Sequence, residues 1–389
     1  MKILYVVATL SLEDGGPTKA CLEMSAAMAK RGHRVRVFTT NADGPRDTWV
    51  PNERVPAPLG VDIRCFQVQF PRSWRASFPM AEALRAEVRD YDLVVINSLY
   101  LFHNWVAGKA CREQGVPYII RPHGTLDPVI RARKRVRKWL LERLYEEANL
   151  SAAAGVHYTS EDERRLAEPF AYGSQGFVVP LGIRSAECSA DPPPGLLRKR
   201  FPELKDKRIL LFLSRINFKK GLDLLVPAFA DALTGYSDAH LVLAGPDNEG
   251  YGQEVRRLIR QHAIESRVTL TGHLEGDLKA SAFREAEAFV LPSYGENFGI
   301  SVIEAAASGV PVLISDRVNI HDGVTAARAG LVVPCDKGRI AEAMREFLRH
   351  PEWKAEMGAN GKRWVRENFD WDKVGERLEA EYVKRLRPR

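Results

Sequence analysis

Two glutamates stand eight positions apart in Pro292-Ser293-Tyr294-Gly295-Glu296-Asn297-Phe298-Gly299-Ile300-Ser301-Val302-Ile303-Glu304-Ala305, with glycines among them. Just upstream, Ala288-Phe289-Val290-Leu291 reads as a short buried strand, and Ile300, Ile303 and Ala307 recur at helical spacing afterwards. The pattern predicts a strand, a loop bearing Glu296, and a helix that starts near Gly299 or Ile300 and bears Glu304. The first amides of such a helix, around Ile300 and Ser301, have no intrahelical acceptor and sit at the positive end of its dipole, so an anion is favoured there. A diphosphate suits that place. Glu296 and Glu304 would then accept hydrogen bonds from hydroxyls on either side of it, one from a sugar and one from a ribose. A pair of solvated surface glutamates is the simpler alternative, but it leaves Pro292-Ser293, Gly295 and Gly299 without a purpose.

Two further loops carry candidates. Arg215 and Lys220 follow an apolar strand at 209–213 and stand five apart before Gly221. Arginine offers a planar fork of donors and lysine a mobile point charge; capping or solvating the loop would be their plain structural role. Near the start of the chain, Asp14-Gly15-Gly16-Pro17-Thr18 lies between a strand and a helix, where paired glycines let backbone approach phosphate or sugar closely. This is neither a Walker sequence nor a GxGxxG dinucleotide pattern.

At these residues the chain resembles the family 4 glycosyltransferases, retaining enzymes of the GT-B fold. The segment from Pro292 to Ala305 resembles the family's donor-site signature. Ser214-Arg215-Ile216-Asn217-Phe218-Lys219-Lys220-Gly221 is similar to its Gly-Arg-Leu-x-x-x-Lys-Gly element, with Ser214 in place of the usual glycine. Val242-Leu243-Ala244-Gly245, Gly272-His273-Leu274 and Ser308-Gly309-Val310-Pro311-Val312 follow in the family's order. The likeness is closest from about Arg208 to Pro334 and looser over the first half.

The resemblance implies transfer of a hexosyl unit from a nucleotide-diphosphate sugar to a glycan or lipid-linked glycan. Negative charge grows on the departing diphosphate, and stabilising it is the main task. Arg215 and Lys220 would meet that charge. Glu296, aided by the amides of Asn297, Phe298 and Gly299, would hold a hydroxyl of the donor sugar. Glu304 would take the ribose hydroxyls, and backbone around Gly272, His273 and Leu274 would pair with the base. His123, followed by Gly124, resembles the family's histidine near the donor sugar, and His103 is a lesser candidate. Retention is implied, with the departing phosphate taking the acceptor's proton on the same face and no protein nucleophile. Of two Asp-x-Asp strings, Asp90-Tyr91-Asp92 precedes a strand, at the wrong end for a ligand, and Asp370-Trp371-Asp372 belongs to a tail helix. No catalytic metal is therefore expected, and no cofactor beyond the donor substrate.

Positioning these residues needs two domains, which 389 residues can fill. Strands at 3–8, 35–39, 93–97 and 118–121 alternate with helices, and a second alternating series runs from 209 to about 334. Such alternation predicts an α/β protein with parallel sheets covered on both faces. Two Rossmann-like halves would face each other across a cleft that takes ligands at the carboxyl ends of the strands. The expected domains are 1–182 on the acceptor side and 196–368 on the donor side, joined near Ala190-Asp191-Pro192-Pro193-Pro194-Gly195. The helix at 369–389 is implied to return to the first domain. The first helix opens with Pro17 and ends at Lys30-Arg31-Gly32, while 42–60, rich in Pro, Asp and Asn, reads as a loop.

Composition excludes several classes. Hydrophobic residues at 45% and charged residues at 28% argue against disorder, and no run approaches the roughly 20 apolar residues of a membrane span. Residues 3–10 behind Lys2 could pass for a signal core, but Glu13-Asp14-Gly15-Gly16 replaces a cleavage site, so a first strand is the better reading. Five scattered cysteines without metal spacing fit a reducing cytoplasm. The net charge of +7 is modest, and no basic-aromatic motif for nucleic acid appears outside 131–143. That segment holds seven basic residues and one acid. Val136, Trp139, Leu140 and Leu144 run as an apolar stripe beside them, the pattern of a helix that lies on an anionic membrane surface. The other reading is a domain helix that buries the stripe, with Leu140, Leu144 and Tyr145 on an interior face.

The acceptor loops 69–78, 99–104 and 125–131 carry Trp74, Phe78, Tyr100 and Phe102, rings that could stack on sugars. Analogy points to bacterial surface polysaccharide or lipopolysaccharide synthesis, on the cytoplasmic side or at the inner membrane face. A retaining glycosidase also needs two carboxylates, but not Arg215, Lys220 or two nucleotide-type domains. A GT-B nucleotide-sugar 2-epimerase or a non-catalytic nucleotide-sugar binding protein would keep the same donor residues, and both stay open.

Overall fold

Short apolar runs such as Ile209-Leu210-Leu211-Phe212 form strands buried on both faces, because helices cross over each side of a parallel sheet. The computed structural model describes residues 1–11, 16–43, 47–48, 57–132, 135–185 and 192–386. They form two units, Met1–Gly182 with Trp371–Arg389, and Ile183–Asp370.

In the first unit the strands are β1 (Lys2–Thr9), β2 (Arg34–Thr40), β5 (Val61–Phe66), β6 (Leu93–Asn97), β7 (Tyr118–Arg121), β8 (Gly155–Tyr158) and β9 (Gly176–Val178). They form one parallel sheet in the order β5-β2-β1-β6-β7-β8-β9. The chain reverses its direction of travel across the sheet between β1 and β6. The helix Gly16–Lys30 follows β1, with Pro17 in its opening turn, and Gly32 beyond its end has φ of 84°. The stretch 42–60 is not an unbroken loop. β3 (Ala42–Asp43) pairs antiparallel with β4 (Asp47–Thr48), because Thr9 and Ser11 side chains donate to Ala42 O and Asp43 and draw that backbone in; 44–46 and 49–56 lie outside the described residues.

The helix Trp371–Leu386 belongs to this first unit, burying Val374, Gly375, Leu378 and Tyr382. Tyr382 is fully buried with its hydroxyl 3.3 Å from that of Tyr5 on central β1. Gly182 approaches so closely that a Cβ there would stand 2.4 Å from the Trp371 ring. Exposed ion pairs at the helix surface, such as Lys30 with Asp372 at 2.5 Å, add little beside this burial.

Two expectations change here. Phe102 and Tyr100 are buried rather than presented to a ligand, and Trp74 stacks on Trp105 with centroids 5.8 Å apart and meets Phe102 edge-on at 5.4 Å. These rings fill the space between the helix Phe102–Gln114 and its neighbours, and of the four only Phe78 is exposed. The basic segment forms a helix, Arg135–Leu141, running into a π-turn, Glu142–Glu146. Tyr145 is buried as an interior residue should be, but Leu140 and Leu144 are not.

In the second unit, β10 (Arg208–Leu213), β11 (Ala239–Ala244), β12 (Val268–Gly272), β13 (Ala286–Leu291), β14 (Val312–Ser315) and β15 (Gly330–Val333) form a parallel sheet in the order β12-β11-β10-β13-β14-β15. Its direction reverses between β10 and β13.

If the last helix is integral to the first unit, Tyr382→Ala should cost about 3–5 kcal/mol, as for other large buried side chains. A urea midpoint equal to that of the unmodified chain would contradict this.

Candidate active site

The loops that follow β10 and β13 lie side by side, since those strands are neighbours at the reversal of the second sheet. Ligands of open α/β sheets settle outside the carboxyl ends of strands at such a reversal. After β10 the chain makes a 3-10 turn, Phe218–Lys220, capped by the Asn217 side chain, which accepts from the Lys219 amide at 2.8 Å. Gly221 then adopts φ of 70° and begins the helix Leu222–Ala232. A Cβ on Gly221 would stand 2.1 Å from the Pro292 carbonyl oxygen, so only glycine lets the two loops meet. The Tyr294 amide donates to Lys219 O at 2.8 Å and fastens them.

This contact sets Lys220 against Glu296 as an ion pair. Lys220 is only 9% exposed, so each charge depends on the other when no ligand is present. Glu296 is fixed through its backbone, its amide donating to Arg317 O and its carbonyl accepting from the Asn319 amide, both at 3.0 Å. Gly299, with φ of 80°, opens the helix Ile300–Ala307 as expected from the sequence. The amides of Ile300 and Ser301 make no backbone hydrogen bond among the described residues, which leaves them for an anion. Phe298 is buried and packs edge-on against Phe369, pinning the loop, while Asn297 is partly exposed.

Glu304 is nearly buried and meets Lys279 Nζ at 2.7 Å. Lys279 comes from the helix Gly276–Glu285, and no motif in the sequence marks it. Arg215 is exposed on the loop after β10. Ser214, in the family's glycine position, has no positive φ; the close approach falls on Gly245 instead, where a Cβ would stand 1.9 Å from Ser214 O. The Gly272 carbonyl already accepts from the Gly245 amide at 2.8 Å and from Thr271 Oγ1 at 3.0 Å. Both its lone pairs are engaged, so this carbonyl has none left to accept from a base. His273 is exposed, whereas the Leu274 side chain is buried.

The first-unit candidates sit at the ends of β1, β6 and β7. Gly16 opens its helix with free space where a Cβ would be, and Gly15 lies outside the described residues. His123 and Gly124 form a turn with φ of 50° and 75°, conformations that L-residues adopt only under constraint. Two buried side chains impose it. His123 Nε2 lies 3.0 Å from Asn97 Oδ1, and the Gly124 amide donates to Glu163 Oε1 at 2.7 Å. Because Asn97 Nδ2 donates to Val6 O at 3.2 Å, its Oδ1 is the acceptor, so Nε2 carries the His123 proton and Nδ1 is left to accept. Burial, Arg121 and His157 hold His123 well below the usual imidazole range. His103 is wholly buried with Nε2 2.6 Å from Asn97 O, and burial pushes it down to about 4, which makes it a brace and not a ligand. Asn97 and Glu163 were not singled out by the sequence. Of the Asp-x-Asp strings, Asp92 accepts from the Lys2 amide at 2.7 Å and Asp372 pairs with Lys30, both structural roles.

Residues 196–364 match the family described as Glycosyl transferases group 1, and residues 15–182 match the Glycosyl transferase 4-like domain. The chain belongs to the group 1 glycosyltransferases. It is 28% identical over 400 residues to a D-inositol 3-phosphate glycosyltransferase of Frankia alni, covering 97% of this chain and 96% of that one. It is 29% identical over 235 residues to a GDP-mannose-dependent alpha-(1-6)-phosphatidylinositol monomannoside mannosyltransferase of Mycobacterium tuberculosis, covering 58% and 60%. Sucrose-phosphate synthase from Thermosynechococcus elongatus superposes with a TM-score of 0.76 at 24% identity, over 99% of each chain. Anabaena HepE in complex with UDP superposes at 0.78 and 18% identity, over 99% of this chain and 100% of that one. The fold is thus GT-B.

Two outcomes follow. Gly221→Ala forces a strained φ and a clash with Pro292, and should destabilise the chain by about 1–3 kcal/mol, together with weaker binding of a nucleoside diphosphate by calorimetry; unchanged binding would detach the loop contact from the site. Burial also lowers the pKa of His157 and takes His240 to about 4. These histidines stay neutral when folded but take up protons below about 6.5 when unfolded. The unfolded state therefore binds more protons at lower pH, so stability should fall as pH drops from about 6.5 toward 4. Urea midpoints that stay flat over that window would contradict it.

Proposed function

We propose that this chain transfers a hexosyl unit, with retention of configuration, from a nucleotide-diphosphate sugar to a glycan or lipid-linked glycan. The observation that carries this reading is the Lys220–Glu296 pair beside the open amides of the helix Ile300–Ala307. A diphosphate entering there would take Lys220 and the helix amides as its partners and release Glu296 to accept from a hydroxyl of the donor sugar. Arg215, exposed on the same loop, would swing onto the phosphates. Lys279 holds the Glu304 carboxylate in place, and that carboxylate would accept from the ribose hydroxyls.

The reaction breaks the bond between the anomeric carbon and the diphosphate oxygen and forms one to the acceptor oxygen on the same face. The acceptor's proton passes to the departing phosphate oxygen. Once Lys220 and Arg215 have turned to the phosphates, their charge and the backbone dipoles stabilise the growing negative charge with no further rearrangement during the reaction, and no metal enters this account. His123, neutral and with Nδ1 as an acceptor, would receive a hydrogen bond from a sugar hydroxyl. The activities for which those relatives are named put an inositol phosphate and a phosphatidylinositol mannoside among the acceptors to try first. Synthesis of a bacterial surface polysaccharide or lipopolysaccharide, with the acceptor presented at the inner face of the membrane, fits this chemistry.

The test is to incubate the chain with UDP-, GDP- and ADP-hexoses, with and without such acceptors, and to follow the anomeric configuration of the product by NMR. Glu296→Gln should lower kcat/KM by about 100-fold, comparable to loss of one charge-stabilising group in other enzymes, and should also lower the thermal midpoint because Lys220 loses its counter-ion at a nearly buried place; the rates are compared at a temperature where circular dichroism shows both chains folded. Conversion of a donor in the absence of any acceptor would favour a 2-epimerase, and binding without turnover would reduce the chain to a carrier.

A further inference from the structure

We propose that the outward face of the helix Arg135–Leu141 and the turn after it docks the chain on an anionic lipid bilayer. Val136 is 80% exposed, Leu144 66%, Trp139 58% and Leu140 50%, although all four are large and apolar. At 3.6 residues per turn, Val136, Leu140 and Leu144 fall close to one line with Trp139 beside it. This stripe is additional to what folding uses. The opposite face already supplies the core, through Leu141 and through Tyr145, whose ring lies 6.3 Å from those of Trp74 and Trp105. A helix that had merely to cover its domain would need one apolar face, and this one has two.

Charge selects the occupant. Arg135, Arg137 and Arg143 are exposed around the stripe. Within residues 135–146 both acids point inward, whereas Glu147, just beyond the turn, is exposed. Glu142 accepts from Arg131 Nη2 at 2.8 Å on each oxygen and from the Tyr100 hydroxyl at 2.7 Å. Glu146 is fully buried, its Oε1 accepting from the Tyr100 amide and its Oε2 from Asn149 Nδ2 at 3.4 Å. These inward contacts clamp the base of the helix and take both carboxylates off its outer surface. What remains is aliphatic and aromatic surface ringed by arginine, the combination that seats in the headgroup region of a negatively charged membrane. A sugar chain would use polar groups between the rings, which Val136, Leu140 and Leu144 do not offer.

The proposal stands on these surface residues and not on the donor-site assignment, so either can fail alone. The full chain is sedimented with vesicles of phosphatidylcholine alone and of phosphatidylcholine with phosphatidylglycerol. Binding is expected to the second only, to weaken with salt, and to bring a blue shift of fluorescence that Trp139→Phe removes. The triple variant Trp139→Ser, Leu140→Ser, Leu144→Ser and the triple variant Arg135→Gln, Arg137→Gln, Arg143→Gln should each weaken binding by about tenfold or more, with urea midpoints close to that of the unmodified chain because the altered side chains are exposed. No binding to the anionic vesicles, or equal binding by the variants, overturns the proposal. So does a concentration-dependent dimer that the serine variant abolishes, which would make this face a contact between two copies of the chain.

Discussion

Gly221 can rest against the Pro292 carbonyl because it lacks a Cβ and tolerates a left-handed backbone, and from that approach the rest of the donor-side geometry follows. It brings the turn after β10 within reach of the loop after β13, so that Lys219 O and the Tyr294 amide can bond. Lys220 then has Glu296 as its counter-ion at a place too dry to leave it unpaired. Glu296 in turn is held by backbone bonds to 317–319, and Gly299 converts the loop into a helix with its first amides unspoken for. Backbone bonds fix both loops where a ligand's phosphates would arrive, and Arg215 stands exposed beside them on the first loop. Preorganised charge of that kind is what stabilises a departing anion without a reorganisation penalty.

The first unit builds its candidate turn by a related device with different parts. Here His123, strained at its positive φ, and the glycine after it are held by two buried polar side chains, Asn97 on one strand end and Glu163 on a neighbouring helix. Asn97 is anchored to β1 across the reversal of the sheet, and its carbonyl is taken up by His103 and Asn104. Neutral histidine costs less to bury than charged histidine, and the depressed pKa of His123 and His103 reflects that.

The sequence made most of the fold legible because apolar runs and glycine punctuation act locally. The run at 209–213, the helix opening at Gly299 and the Pro17 to Gly32 boundaries could all be read from neighbours in the chain. Lys279, Asn97 and Glu163 could not, since each gains its role from a partner distant in sequence and looks ordinary in its own segment. Burial direction was the other blind spot. Tyr100 and Phe102 lie in a stretch that reads as an acceptor loop with rings able to stack on sugars, yet both are buried at the start of the helix Phe102–Gln114. For Leu140 and Leu144 the sequence leaves an exposed and a buried stripe both open, because periodicity gives the face of a helix and not what lies opposite it; the exposed one is found. Ser214 was read as a departure from the family's glycine, and the backbone explains why it is tolerated: the tight contact sits at Gly245.

The helix Trp371–Leu386 completes a sheet unit whose first strand begins at Lys2. During synthesis, therefore, the segment Ile183–Asp370 has its whole sequence outside the ribosome before the earlier unit receives its closing element. Domains commonly fold in the order they are made; here the inserted one can finish first, and the amino-terminal sheet must wait, with Tyr5 uncovered, until the helix Trp371–Leu386 has emerged.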